Sequence, residues 1–290
     1  THFNDGILDL EVLKLTYGID TNFDIQGQYP IIIDSTESKK VNLKSNFKNI
    51  NMSFFTQFSK IWKDNLFGTF TGEFNMGGTT KRTIFDINGK IDNTFYKGVP
   101  LGTVKWTGNY RNKTLTFDQF TSDWSENHIT GSAILPIVYD LAETEKTWHS
   151  ERELLVKTEG SFSSAVFLST FLAETDSIVG DINIKLNIRG PTNSLIRDGE
   201  ISIDNGSIYT ILMDEPVKNI SASATLSDNI MEISLFNSTI DDSDLKKKID
   251  NNLNLSGEID FKRFFEPRYD LKFLGNNIFY RSLNGDIEGY

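Results

Sequence analysis

The residues from 180 to 190 alternate strictly between apolar and polar side chains. Gly180 and Gly190 close the two ends, and the apolar members between them are Ile182, Ile184, Leu186 and Ile188. A period of two over this length predicts a β-strand with one apolar and one polar face. A sheet built from such strands must place its apolar face against something other than water.

A similar strand occurs 112 residues earlier, at residues 68–78, with Phe70, Phe74 and Met76 on its apolar face. The match continues past the strand, because the tripeptide at 91–93 (Ile-Asp-Asn) recurs at 203–205 with the same offset. An apolar segment also precedes each strand, at residues 54–62 and 166–172. The sequence therefore predicts an internal repeat of helix, strand, loop and strand.

The apolar segment of the first repeat has the spacing of an amphipathic helix. Its apolar side chains recur at helical intervals and form one stripe: Phe54, Phe55, Phe58, Ile61 and Trp62. Ser53 is available as an N-cap, so we predict a helix over 53–62 that packs on the apolar face of the sheet. Lys60 and Lys63 are the only cations on its polar side, which favours packing over a membrane-surface role. A second short helix is predicted near 164–172.

Most of the remaining chain has the alternation of β-strands. We predict strands within 7–33, 68–78, 84–91, 104–110, 115–117, 129–138, 180–190, 201–203, 208–212, 220–226, 231–235, 253–261, 269–273 and 278–287. Residues 34–42 are predicted to be a polar loop, and 140–153 a loop or a frayed helix. Near residues 10–13 the apolar phase shifts by one, which indicates either a β-bulge or a boundary between two strands.

Three glycines, Gly27, Gly131 and Gly257, lie within predicted strands and indicate bends or close backbone approaches. The predicted fold class is mostly β, a long, curved and largely antiparallel sheet built of internal repeats with two short amphipathic helices. Two helices cannot cover so many amphipathic strands. Either the sheet closes on itself as a sandwich or barrel, or its apolar face forms a trough with an occupant that is not protein.

Composition and motifs exclude several functional classes. A net charge of -11 argues against nucleic acid or anionic lipid headgroups as a surface partner, because both require basic patches. The chain has no cysteine, which is compatible with an oxidising compartment such as a bacterial periplasm. The three histidines, His2, His128 and His149, accompany no Gly-x-Ser-x-Gly motif. We therefore predict no catalytic residue, no metal site and no cofactor, and we do not expect an enzyme.

Residues 241–244 (Asp-Asp-Ser-Asp) could suggest a calcium loop. They lack a later bidentate glutamate at the required spacing and run directly into three lysines at 246–248. A solvated hairpin tip is the better interpretation of this segment.

Short sequence motifs that recur at the strand ends resemble those of a known family. An apolar pair precedes glycine at 66–68 and 178–180, and each long strand closes on glycine followed by threonine or proline-threonine, at 78–79 and 190–192. Three further motifs fit the same pattern: residues 199–206 (GEISIDNG), residues 129–131 with 135–136, and residues 255–259 (LSGEI). Over residues 40–290, and most closely over 160–290, the chain is similar to the AsmA/TamB family.

The resemblance implies a taco-shaped β-groove with a hydrophobic interior, in the periplasm of a diderm bacterium. Such proteins are anchored in the inner membrane and are implicated in moving phospholipid to the outer membrane; TamB-type members also partner an outer-membrane barrel of the Omp85 type. Acyl chains would then lie against the strand faces of both repeats, and headgroups would stay in water. The lining residues would be Phe70, Phe74, Met76, Ile182, Ile184, Leu186 and Ile188.

The domain organisation follows from the same comparison. We expect strands of a preceding repeat over 1–45, one repeat over 46–158 and a second over 159–290. The chain starts on Thr1 without methionine and is interpreted as a piece of a longer protein. No run in the sequence approaches the roughly 18 apolar residues of a membrane span.

Two other functions stay open at this point. The chain could be a periplasmic scaffold in outer-membrane protein assembly or secretion that pairs through exposed strand edges, and such edges predict self-association. It could also be a β-repeat adhesin in which Trp106, Tyr110 and Trp124 stack on sugars. Trp106 and Tyr110 share the phase of Val104, however, which places them on the apolar face rather than the exposed one.

Overall fold

The computed structural model describes residues 2–17, 20–31, 37–56, 65–142, 148, 151–164, 175–210, 216–240, 253–263, 267–275, 280–281 and 288–289. These residues form eighteen strands and one short helix. The first nine strands are β1 His2–Asn4, β2 Ile7–Tyr17, β3 Thr21–Pro30, β4 Asn42–Asn51, β5 Leu66–Thr79, β6 Arg82–Tyr96, β7 Val99–Arg111, β8 Thr114–Trp124 and β9 Asn127–Leu135. The others are β10 Glu153–Ser164, β11 Thr175–Pro191, β12 Ile196–Thr210, β13 Val217–Ser227, β14 Ile230–Ile240, β15 Leu253–Asp260, β16 Arg268–Gly275, β17 Tyr280–Arg281 and β18 Glu288–Gly289.

The strands from β1 to β16 are hydrogen-bonded in chain order within one sheet, and β17 pairs with β18 separately. Neighbouring strands run antiparallel, as in the pairs β5–β6 and β12–β13. This confirms the predicted fold class of a mostly antiparallel β protein. Tight hairpins connect most of these strands, so the alternation seen in the sequence converts directly into two faces.

One helix, α1 at Ser53–Thr56, lies among the described residues and is four residues long. It coincides with the start of the predicted helix 53–62, and the later members of its apolar stripe, Phe58, Ile61 and Trp62, lie outside the described residues. The second predicted helix, 164–172, also lies outside them except for Ser164, which ends β10.

The chain divides into two compact units. Unit 1 contains residues 1–125, 130–157 and 189–195, and unit 2 contains residues 126–129, 158–188 and 196–290. Within unit 2, buried Val217 and Ile220 of β13 form a core cluster. The partly buried apolar side chains packed against it are Ile203, Ile208, Ala222, Phe236 and Leu253.

The predicted repeat is present in the backbone itself. Gly68 and Gly180, which are 112 positions apart, both have φ of 142°, and Asn93 and Asn205 have φ of 52° and 53°. A Cβ built on Gly68 would lie 3.0 Å from the carbonyl oxygen of Asp92, and a Cβ on Gly180 would lie 3.0 Å from that of Asp204. Equivalent positions therefore share the same left-handed conformations and the same close approach between strands.

The change of phase near residue 12 is a β-bulge. β2 is continuous over Ile7–Tyr17, and its register with β3 shifts between Leu10 and Leu13. Because the bulge inserts one extra residue, Leu10, Leu13 and Leu15 all pair with residues of one face of β3.

Four strands of the structure lie outside the predicted ones: the short strands β1 and β18, and the longer strands β4 and β10. β4 occupies residues that follow the predicted loop 34–42, and β10 follows the predicted loop 140–153. In β4 the apolar face carries Ser45 between Leu43 and Phe47, and a register shift before Ile50 interrupts the phase. In β10, Thr158 and Gly160 stand between Leu154 and Phe162 in the alternation, so the period of two is hidden.

Candidate functional site

The side chains that share one side of unit 1 form a broad apolar face over β2 to β8. Directly paired residues of neighbouring strands point to the same side of a sheet. One row of such pairs runs from Leu15 through Phe23, Phe47, Gly72, Gly89 and Trp106 to Phe120. A second row runs from Leu10 through Gly27, Leu43, Met76, Phe85 and Tyr110 to Leu115. We call this surface the apolar face.

Four aromatic rings cross the middle of the apolar face and form an aromatic row. The ring centroids of Phe23 and Phe47 are 5.0 Å apart, those of Phe47 and Phe70 are 5.4 Å apart, and those of Phe70 and Trp106 are 5.8 Å apart. Phe70 and Trp106 are nearly parallel, with an interplanar angle of 7°. Ring pairs at these separations attract each other beyond the burial of their area.

Two glycines allow the rings to lie flat on the sheet. Gly72 and Gly89 pair directly between β5 and β6. A Cβ at Gly89 would lie 2.7 Å from Cε2 of Phe70 and 3.1 Å from Cζ2 of Trp106. Any larger residue at this position would therefore displace the aromatic row.

The short helix α1 lies on one part of the apolar face. The Phe55 ring is 5.5 Å from both Phe47 and Phe70, in edge-on contact with each. Phe54 packs against Phe55 at 5.3 Å but keeps about half of its surface in solvent. Of the predicted helix stripe, the structure therefore places Phe55 directly on the aromatic row.

A segment at residues 136–142, which we call the strap, lies over another part of the apolar face. Tyr110 of β7 is fully buried, and its hydroxyl accepts a hydrogen bond of 2.7 Å from the backbone N–H of Tyr139. The Tyr139 ring contacts Phe85 with a centroid distance of 6.0 Å. Asp140 is buried and accepts from the backbone N–H of Thr83 at 3.0 Å. The strap is thus fastened to β6 and β7 by both ring contacts and hydrogen bonds.

Replacing Tyr110 with phenylalanine tests how firmly the strap is held. Tyr110→Phe keeps the ring but removes the acceptor of the Tyr139 N–H, so we expect a loss of about 1 kcal/mol in the free energy of unfolding. Hydrogen exchange should show faster exchange of the Tyr139 amide. Tyr209→Phe in unit 2 is the matched control, since Tyr209 is exposed. Unchanged exchange at Tyr139 would contradict this role for Tyr110.

The structure brings the three predicted lining residues of the first repeat onto this single face. Phe70 lies in the aromatic row, Phe74 lies 5.4 Å from the Phe85 ring, and Met76 pairs with both Leu43 and Phe85. All three are half-buried. Between α1 and the strap, the apolar face therefore keeps part of its surface open.

The predicted lining residues of the second repeat lie on β11 in unit 2. Ile182 is only 1% exposed, whereas Ile184, Leu186 and Ile188 are half-buried. Ile182 is thus an interior residue in this structure, and the other three are more accessible. A contact of these residues with lipid stays a prediction.

Sequence reasoning did not place Phe23, Phe47 and Trp106 of the aromatic row among the lipid-lining residues, and considered Trp106 only for sugar stacking in the adhesin alternative. The alternation of Phe23, Ile25 and Gly27 contains the necessary signal for β3. Phe47 belongs to the unpredicted strand β4, and Trp106 shares the phase of Val104. Their convergence depends on the register of five strands, which a single sequence does not state.

A scan against models of known protein families, a search of curated proteins and a search of solved structures each found no match to this chain. Within the described residues, no helix has the length and apolar character needed to cross a membrane. In the same part of the chain, no three histidine or carboxylate side chains converge on a possible metal site.

Proposed function

We propose that this chain is a non-enzymatic segment of an AsmA/TamB-like envelope protein whose apolar face shelters phospholipid acyl chains. In this proposal the parent protein is anchored in the inner membrane of a diderm bacterium. The segment lies in the periplasm and passes lipid between the inner and outer membranes. The observation that carries the proposal is the half-open apolar face of unit 1. It is supported by the sequence resemblance and by the absence of cysteine from the chain.

The chemistry of the apolar face suits a flexible hydrocarbon chain. Apart from the indole N–H of Trp106, the rings of Phe70 and Trp106 and the aliphatic side chains beside them offer no hydrogen-bonding group that would fix a ligand in one place. Burial of each methylene contributes roughly 0.8 kcal/mol, so partial shelter of two acyl chains is enough to retain a lipid. Because the interaction is non-directional, the lipid can slide along the face.

The edge of the apolar face offers a test that leaves the core intact. Leu13 and Leu15 of β2 are 41% and 55% exposed and pair with Ile25 and Phe23 of the apolar face. We expect native mass spectrometry of the whole chain, followed by solvent extraction, to detect bound phospholipid. The double variant Leu13→Asn and Leu15→Asn should retain less than about half of it, because apolar contact area is lost.

Ile84→Asn is the matched control for this experiment. Ile84 is also partly exposed and apolar, but it neighbours Phe85 in β6 and therefore points to the opposite side of the sheet. The control should retain lipid at the level of the unsubstituted chain. If that chain carries no lipid, or if both variants lose it equally, the acyl-chain proposal is wrong.

A second candidate function is a scaffold in outer-membrane protein assembly, with an Omp85-type barrel as its partner. The observation that favours it is strand β16, which pairs with β15 over eight consecutive residues without a bulge. Among the described residues, β16 is the last strand of the sheet, and it exposes Tyr269, Phe273 and Leu274. A lipid-free chain that binds a barrel protein through this edge would favour the scaffold.

A further inference from the structure

The polar side of unit 1 carries a concavity opposite the apolar face. It lies between β4 and β8 and has a volume of about 620 Å³, which is within the range of small-molecule sites. Three lysines, Lys48, Lys90 and Lys105, line it together with one carboxylate, Glu73. Amide and hydroxyl side chains supply the rest of its polar lining. We call this concavity the polar trough.

Two of the lysines stand directly opposite each other. Lys90 of β6 pairs with Lys105 of β7 in the register of the sheet. Like charges in such a cross-strand pair repel and lower stability. Lys90 is partly neutralised by Asp92, whose Oδ2 lies 2.6 Å from its Nζ, and Lys48 lies 3.9 Å from Asp20. Together with Glu73, these carboxylates equal the three lysines in number, and Lys105 is the lysine of the trough without an ion pair among the described residues.

The second repeat shows that the sheet does not require this pair. The position equivalent to Lys90, 112 residues later, is Ser202, and its partner across the strands is Ser223. Gly72 and Gly89, whose backbone forms the floor of the trough, correspond to Ile184 and Ile201. The lysine pair and the glycine floor are therefore features of the first repeat alone.

We propose that the polar trough binds a small, soluble, polyhydroxylated anion of the sugar-phosphate class. An anionic group between Lys90 and Lys105 relieves their repulsion and forms charge-assisted hydrogen bonds with both. Asn88 and Gln119 offer amide donors and acceptors that suit sugar hydroxyls. Two residues of the aromatic row, Phe47 and Trp106, also line the trough, beside the lysines and amides that would hold the anion.

Isothermal titration calorimetry of the whole chain with glucose 6-phosphate tests the proposal, with glucose and inorganic phosphate as comparisons. We expect saturable binding of glucose 6-phosphate that is at least about tenfold tighter than binding of either comparison, because only the full ligand uses both lysines and amides. Glucose 6-phosphate carries no acyl chain, so its binding is measured separately from lipid binding.

Two sets of substitutions, one expected to weaken binding and one expected to tighten it, make the test specific. The double variant Lys90→Ser and Lys105→Ser introduces the serine pair of the second repeat. It should weaken binding by about tenfold or more while the melting temperature stays equal or rises, since a repulsion is removed. Glu73→Gln should tighten binding by about threefold, because the carboxylate repels the anion.

Lys44→Gln is the control, which removes one positive charge from the same face outside the trough. Lys44 lies on the same face of β4 as Lys48 but four residues away, which is about 13 Å along the strand. This exceeds the screening length of about 8 Å at physiological ionic strength, so affinity should change by less than about twofold. The proposal fails if glucose 6-phosphate does not bind saturably, or if inorganic phosphate binds equally well. It also fails if the double lysine variant binds as tightly as the unsubstituted chain.

Discussion

Ile220→Ala is expected to lower the free energy of unfolding by about 3 kcal/mol, in the middle of the range for such truncations in a core. Ile220 is fully buried in β13 and forms the centre of the unit 2 cluster with Val217. The substitution leaves a cavity among side chains from β12, β14 and β15, which can collapse only in part. Urea denaturation followed by circular dichroism measures the change.

Leu235→Ala is the control for this prediction. Leu235 lies on the neighbouring strand β14 and is 43% exposed. Its truncation should cost less than about 1 kcal/mol, because little apolar area leaves the interior. Equal losses for the two variants would mean that the Ile220 cluster is not the core of unit 2.

Gly27→Ala is expected to cost about 3 kcal/mol and to separate β3 from β4 locally, since a strained backbone and a steric clash add together. Gly27 has φ of 123°, where side chains other than hydrogen are rarely accommodated. A Cβ there would lie 1.9 Å from the carbonyl oxygen of Asn42, so the two strands would have to move apart. Hydrogen exchange of the β4 amides and the urea midpoint report both consequences.

Gly77→Ala separates this effect from the loss of glycine as such. The first atom that a Cβ at Gly77 would meet is Cγ1 of Ile84 at 3.5 Å, an ordinary van der Waals contact. We expect a change within about 1 kcal/mol, because neither backbone strain nor a clash arises. A Gly27 variant as stable as the Gly77 variant would show that β3 and β4 tolerate a wider separation.

The sequence predicts the β class and the repeat because both depend on local periodicity. The alternation at 180–190 and its counterpart at 68–78 became β11 and β5, and the glycines inside predicted strands became points of close approach. The strands β4 and β10 were missed because Ser45, Thr158 and Gly160 occupy apolar-phase positions. Burial in a sheet depends on neighbouring strands, and small polar residues satisfy it where space is limited.

The residues of the aromatic row, the polar trough and the strap were harder to predict from the sequence than the fold. Phe70, Phe74 and Met76 follow from alternation, but the aromatic row also needs the register of β3, β4 and β7. The pairing of Lys90 with Lys105 depends on where the β6–β7 hairpin turns, because the two register shifts on either side of Thr94 cancel. The strap was predicted partly as the end of a strand, 129–138, and partly as a loop or frayed helix, 140–153. Its hydrogen bonds to Tyr110 and Thr83 join positions 29 and 57 residues apart.

The order of the strands in the sheet, which follows their order in the chain, also affects how the protein folds. Each strand from β1 to β16 finds its partners among its immediate neighbours in the chain, so few contacts require distant segments to meet. Closing short hairpin loops carries a small entropic cost, and topologies rich in local contacts fold quickly. We expect strands to be added one after another while the polypeptide is still emerging from a ribosome or a translocation channel. A protein assembled in this way does not have to wait for its last residue before its first hairpins are protected.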